Sequence, residues 1–124
     1  MGKGELVMNN SIHPTAIVDD CVEIGDNNYI GPFCYLTGGL IIGNNNWFEA
    51  YCSVGTRAEH KSYWHKDGHT RIGNNNVFRE HITINAGTEN VTEIGNDVVM
   101  LRGSHVAHDC IIEDNVTLSC DAIM

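Results

Sequence analysis

A chain of 124 residues, 42% of them apolar, is long enough to pack one core and is read as a single domain over 1–124. Its net charge of −9, with only seven Lys or Arg, argues against nucleic acid or an anionic membrane as the main partner. No apolar stretch reaches the roughly 18 residues of a membrane span, and the first residues, from Met1 to Asn10, lack the apolar core of a signal peptide. A soluble, cytoplasmic protein is therefore expected.

From Ile12 onward an apolar residue recurs at every sixth position: Ile12, Val18, Ile24, Ile30, Leu36, Ile42, Phe48 and Val54. The phase resumes at Ile72, Phe78 and Ile84, and again from Ile94 through Met100, Val106, Ile112 and Leu118 to Met124. Six steps of about 100° scatter around a helix and give no stripe. A plain strand would alternate with period two. A period of six fits a short strand, a corner and a new strand on the next face, and three faces make a coil of 18 residues.

A longer motif marks one corner per coil. Ile24-Gly25-Asp26-Asn27 returns as Ile42-Gly43-Asn44-Asn45, Ile72-Gly73-Asn74-Asn75 and Ile94-Gly95-Asn96-Asp97, with a weaker copy at Ile112-Glu113-Asp114-Asn115. Gly, Asn and Asp tolerate positive φ and suit such corners. Four positions after the periodic apolar residue stand small or medium residues, among them Cys34, Cys52 and Cys110, read as core fillers. With five cysteines and no CxxC pair, a disulfide framework is not expected. Asn28, Asn46 and Asn76 share that slot and are expected to stack as an amide ladder.

Spacing breaks locate the loops. The 18-residue step lengthens to 30 between Ile42 and Ile72, and to 22 between Ile72 and Ile94. The first insertion lies near 56–71 and carries His60, Tyr63, Trp64, His65 and His69; the second lies near 86–93. Insertions in solenoids decorate one face, often the binding face. The remainder makes between five and six coils. Residues 1–11 are expected to cover the start, and the chain stops inside a coil, where self-association would help stability.

The densest chemistry is His105-Val106-Ala107-His108-Asp109-Cys110. Neutral histidine is the usual general base near pH 7. On either side of the inward Val106, His105 and His108 should both face outward, with Asp109 able to orient the imidazole. A surface histidine at a corner is the plain alternative for His108. A zinc site between subunits, using His81, His105 and His108, is another. No P-loop, dinucleotide fingerprint, HExxH or GxSxG occurs, and no cofactor is expected.

The run Ile12-His13-Pro14-Thr15-Ala16-Ile17-Val18, followed by Ile24-Gly25 and Ile30-Gly31-Pro32-Phe33-Cys34, resembles the start of the UDP-N-acetylglucosamine O-acyltransferases of lipid A biosynthesis. Arg79-Glu80, Thr83-Ile84 and Gly87-Thr88 resemble a middle motif of that family, and the run from His105 to Cys110 its active-site motif. The hexapeptide repeat alone is shared by many acyltransferases; the His-x-x-His-Asp-Cys run is more specific. The resemblance covers nearly all of residues 12–118.

The resemblance implies an all-β fold, a left-handed parallel β-helix, against the usual right-handed crossover, and a homotrimer. It implies a reaction in which a 3-hydroxyacyl group moves from acyl carrier protein to the 3-position of a UDP-amino sugar. By the same resemblance His108 is the general base, Asp109 supports it, and His105 lines the substrate cleft. Glu59 and His60 stand where the family has a Gln-Asp pair, Ser62 where it has Lys, and Asn85 where it has His, while Tyr63 is kept. These are substrate-binding candidates, and a base in place of the sugar-contacting acid should alter acceptor recognition. No metal is assigned. The chain ends before the coil that supplies the family's oxyanion N–H, before the acyl-chain ruler and before the C-terminal helical domain. A non-catalytic trimeric scaffold or binding module is the alternative function, and an intersubunit zinc enzyme a more remote one.

Overall fold

The computed structural model describes residues 5–7, 9–63 and 67–124. Trp64 and His65 of the first insertion lie outside the described residues, as do Met1–Gly4 and Met8.

The chain enters along β1 (Glu5–Val7), and the first coil runs through β2 (Asn10–Ile12), β3 (Ile17–Val18) and β4 (Glu23–Ile24). The second holds β5 (Tyr29–Ile30), β6 (Tyr35–Leu36) and β7 (Gly39–Ile42); the third holds β8 (Trp47–Phe48), β9 (Ser53–Thr56) and β10 (His69–Ile72). The fourth comprises β11 (Val77–Phe78), β12 (Thr83–Asn85) and β13 (Thr92–Ile94), and the fifth β14 (Val99–Met100), β15 (His105–Val106) and β16 (Ile111–Ile112). β17 (Thr117–Leu118) opens a sixth. Equivalent strands stack in parallel into three sheets, β2-β5-β8-β11-β14-β17, β3-β6-β9-β12-β15 and β4-β7-β10-β13-β16. The periodic apolar residues pair in register, Ile30 with Phe48, Ile42 with Ile72 and Ile84 with Val106. The protein is a β-helix of between five and six coils.

The core is the inward column at each face. Ile30, Leu36, Phe48, Val54, Phe78, Ile84, Met100 and Val106 are completely buried. The Phe48 and Phe78 rings stack at 4.6 Å. Ile12, Val18 and Ile24 of the first coil are only partly buried, since that coil has a neighbour on one side alone. β1 pairs antiparallel with β2 and so supplies hydrogen-bond partners to the opening edge, the role expected for the N-terminal residues.

The Ile-Gly-Asn-Asn-Asn corner divides its labour residue by residue. The third Asn builds the expected inner ladder. Asn46 Nδ2 donates to Asn28 Oδ1 (3.0 Å) and to the Gly73 carbonyl (2.9 Å), and the Asn76 backbone N–H donates to Asn46 Oδ1 (3.0 Å). Asn10, which the sequence pattern omitted, extends this ladder by accepting from Asn28. The first Asn builds a second, outer ladder: Asn74 Oδ1 accepts the Asn44 N–H, and Asn96 Oδ1 the Asn74 N–H, both at 2.7 Å. The middle residue turns the corner, with positive φ at Asn27, Asn45, Asn75, Asp97 and Asn115. The glycine does not. A Cβ on Gly43 would stand 2.3 Å from Asn74 Oδ1 and 2.7 Å from the Gly73 carbonyl, so glycine is required by the close approach of the next coil rather than by its own φ.

Candidate active site

The second corner column is where the regularity fails. Thr56 ends β9 and His69 begins β10, so residues 57–63 and 67–68 leave the wall there; Ala86–Val91 leave it one coil later, between β12 and β13. A register shift between Ile84 and Asn85 prepares the second departure, opposite Gly55 at φ +85°. The feet of both insertions are held to each other: Ala86 N–H donates to the Thr56 carbonyl at 2.7 Å and Gly87 N–H to the His69 carbonyl at 3.0 Å.

The His105–Cys110 run crosses beneath these loops. With Val106 buried inward on β15, His105 lies on the outer surface, where its Nδ1 shares a 2.6 Å hydrogen bond with Thr83 Oγ1 of the preceding coil. Its Nε2 faces Glu59 Oε1 at 3.8 Å. His108 follows at the corner, and its Nδ1 lies 2.7 Å from Asp109 Oδ2. Their side chains are 29% and 22% exposed.

Asp109 occupies the corner at φ +66°, a conformation Asp tolerates better than most residues. Its carboxylate is saturated. Oδ1 accepts the backbone N–H groups of Thr88 (2.8 Å) and Asn90 (2.9 Å), and Oδ2 accepts the Thr88 hydroxyl and faces His108. The Asp109 N–H donates to Thr92 Oγ1 at 2.8 Å. Burial pushes this carboxyl up, but the Thr88 hydroxyl, His108 and the Asn90 and Thr88 N–H groups outweigh it and hold the group well below the usual carboxylate range. Asp109 therefore stays ionised at neutral pH. An anion at Nδ1 fixes the proton of neutral His108 on that nitrogen and leaves Nε2 with its lone pair, the form a general base needs.

The first insertion folds over this pair. The His60 ring meets the His108 ring edge-on at 5.9 Å and the Tyr63 ring at 5.2 Å. Ser62 N–H donates to His60 Nδ1 at 3.1 Å, and Tyr63 N–H to the His60 carbonyl at 2.9 Å. Tyr63 donates its hydroxyl to Glu89 Oε1 at 2.5 Å; that hydrogen bond and the Glu89 charge raise the phenol above its ordinary value.

Six of the eight candidate residues thus meet in one cluster: Glu59, His60, Tyr63, His105, His108 and Asp109. Ser62 touches it through its backbone N–H. Asn85 lies below the surface, 4% exposed, with Nδ2 on Thr56 Oγ1 at 3.1 Å and no partner for Oδ1 among the described residues. His81 does not join His105 and His108. It stacks on Tyr51 at 5.0 Å, which stacks on Phe33 at 5.2 Å, along the remaining corner, between β8 and β9 and their equivalents. Sequence reasoning placed Thr83 and Thr88 in the middle motif without giving either a role at the site, and missed Glu89 and Asn90. The signal for Glu89 and Asn90 was position, since both lie within the second insertion.

The architecture matches the left-handed β-helix of a solved UDP-N-acetylglucosamine acyltransferase. No protein-family model matches the chain. Among curated proteins, it is 32% identical to the acyl-[acyl-carrier-protein]–UDP-N-acetylglucosamine O-acyltransferase of Syntrophobacter fumaroxidans, over 91% of this chain and 52% of that protein. It is 39% identical to the enzyme of the same name from Xanthomonas euvesicatoria, over 80% of this chain and 46% of the relative. Among solved structures it superposes on a UDP-N-acetylglucosamine acyltransferase of Bacteroides fragilis with a TM-score of 0.69 at 27% identity, covering 90% of this chain and 54% of that one. The UDP-N-acetylglucosamine O-acyltransferase of Moraxella catarrhalis gives 0.54 at 30% identity, covering 86% and 49%. The chain is a relative of the UDP-N-acetylglucosamine O-acyltransferases in sequence and fold, and it spans about half the length of the curated relatives it matches.

Proposed function

We propose that this chain carries the base of an acyltransferase that moves a 3-hydroxyacyl group from acyl carrier protein to the 3-hydroxyl of a UDP-amino sugar, in the cytoplasm and as a homotrimer. The observation that carries the reading is the His108–Asp109 pair, its carboxylate saturated by the second insertion and its imidazole covered by the first. His108 Nε2 takes the proton of the sugar hydroxyl as that oxygen attacks the thioester carbonyl. The tetrahedral intermediate then expels the carrier thiolate, which recovers the proton from the imidazolium, and the ester is left on the sugar. Asp109 stabilises the imidazolium between the two steps. His105, held by Thr83, and Glu59, His60, Ser62, Tyr63 and Asn85 serve the acceptor side. No cofactor or metal takes part in this scheme.

The test is acyl transfer from 3-hydroxyacyl carrier protein to UDP-N-acetylglucosamine by the purified protein, beside His108→Ala. Turnover that falls in the variant supports the reading. Turnover unchanged in the variant refutes His108 as the base. A confirmed trimer without turnover favours the scaffold alternative.

A further inference from the structure

Two observations at the site have no part in the proton transfer. The tips of the two insertions, distant in sequence, meet through the Tyr63 hydroxyl and the Glu89 carboxylate at 2.5 Å. The second insertion is at the same time fastened to the base through Asp109, which takes N–H groups on both sides of Glu89, from Thr88 and Asn90. On the other side Tyr63 is joined to His60 by its backbone N–H and by ring contact, and His60 bears edge-on against His108. The contacts close a ring: His108, Asp109, the 88–90 turn, Glu89, Tyr63, His60 and back to His108.

We propose that Tyr63 and Glu89 are a positioning pair that clamps the first insertion onto the second, and so holds His60 in a fixed orientation at the acceptor side of the cleft. The inference rests on the acyltransferase reading for its kinetic part only. The physical reason is rigidity. The first insertion is twelve residues longer than the regular step (30 against 18), and Tyr63 stands well away from both of its sheet-borne ends, Thr56 and His69. A charge-assisted hydrogen bond from Tyr63 to a turn already fixed by Asp109 restrains the chain there. Ser62 N–H on His60 Nδ1 then selects the tautomer with its proton on Nε2, and this nitrogen is left to meet the acceptor. Neither clamp residue touches reacting atoms, so the pair acts on binding rather than on chemistry.

The experiment measures kcat and the acceptor KM separately for the wild type, Tyr63→Phe, Glu89→Ala, Glu89→Gln and the Tyr63→Phe/Glu89→Ala double variant, with His108→Ala as the control for the chemistry. The expected result is an acceptor KM raised about tenfold in Tyr63→Phe and Glu89→Ala, the size of one partly screened charge-assisted hydrogen bond. The donor KM and kcat should stay within about twofold. Glu89→Gln, which keeps a neutral acceptor for the hydroxyl, should be intermediate, and the double variant no worse than either single. An unchanged acceptor KM, or losses that multiply in the double variant, would overturn the proposal. A readout free of turnover accompanies it: the ring nitrogen signals of His60 in ¹⁵N NMR. These should report one tautomer in the wild type and an averaged pair in Tyr63→Phe. If they are identical in the two proteins the clamp is refuted even where no acyl transfer is found; if they differ in a protein without turnover, the clamp stands and the acyltransferase reading fails alone.

Discussion

Two of the three corner columns of this β-helix are made by different means. At the first, each coil repeats the one before it. Asparagines answer asparagines across coils, and the chain turns through positive φ at equivalent positions. At the second, the coils depart from one another: two insertions leave the wall, the β9–β12 register slips, and histidines and carboxylates gather where the first column has amides. The difference teaches that repetition supplies stability, because identical neighbours satisfy one another, and that a site requires the repetition to break. A column of identical residues presents one chemistry; an imidazole, its carboxylate partner and a covering loop are three.

If the columns divide stability from activity, substitutions should separate the two. The largest effect is expected from His108→Ala, a loss of about 10²–10⁴ in kcat with a thermal midpoint close to that of the wild type, since the ring is partly exposed and outside the core. A melt that drops with the activity would erase the division. Next is Asn46→Ala in the inner ladder. It removes donors to Asn28 and Gly73 and the acceptor for Asn76. Leaving those buried groups unpaired should cost about 3 kcal/mol in denaturant unfolding, while kcat below the melt is unchanged.

Asp109→Asn tests whether the second column also contributes stability. The carboxyl of Asp109 is held below its ordinary value of 3.8 by Thr88, His108 and Asn90, against the effect of burial. A group whose pKa is depressed in the folded state stabilises it at pH values above the unfolded pKa, and that contribution fades as pH falls through the folded one. The stability gap between wild type and Asp109→Asn should therefore be full, about 2 kcal/mol, at pH 6 to 8 on the pH scale of the titration. It should narrow once the pH drops below 3.8. A gap that does not depend on pH would mean that the loop contacts, not the charge, carry the effect. The smallest change is at a turn: Asn75, at φ +61°, should lose about 1 kcal/mol as Ala and almost nothing as Gly, read from paired thermal melts.

The sequence by itself determined the coil. A period of six leaves no other regular backbone, and the inward residues, the Asn ladder and the positions of both loops could be counted off the chain from Ile12 to Met124. It also nominated His105, His108 and Asp109, through a run of residues dense enough in chemistry to stand out. Tertiary structure decided three things. It showed that Gly43 and its equivalents are needed for the approach of the next coil, a distance that no local pattern encodes. It separated His81 from the other two histidines by placing it on an aromatic stack at a different corner. It also brought Glu89 to Tyr63, and Thr88 and Asn90 to Asp109. Those contacts join segments about twenty residues apart that obey no repeat. Periodicity reports what each coil shares with its neighbour, and the site is built from what they do not share.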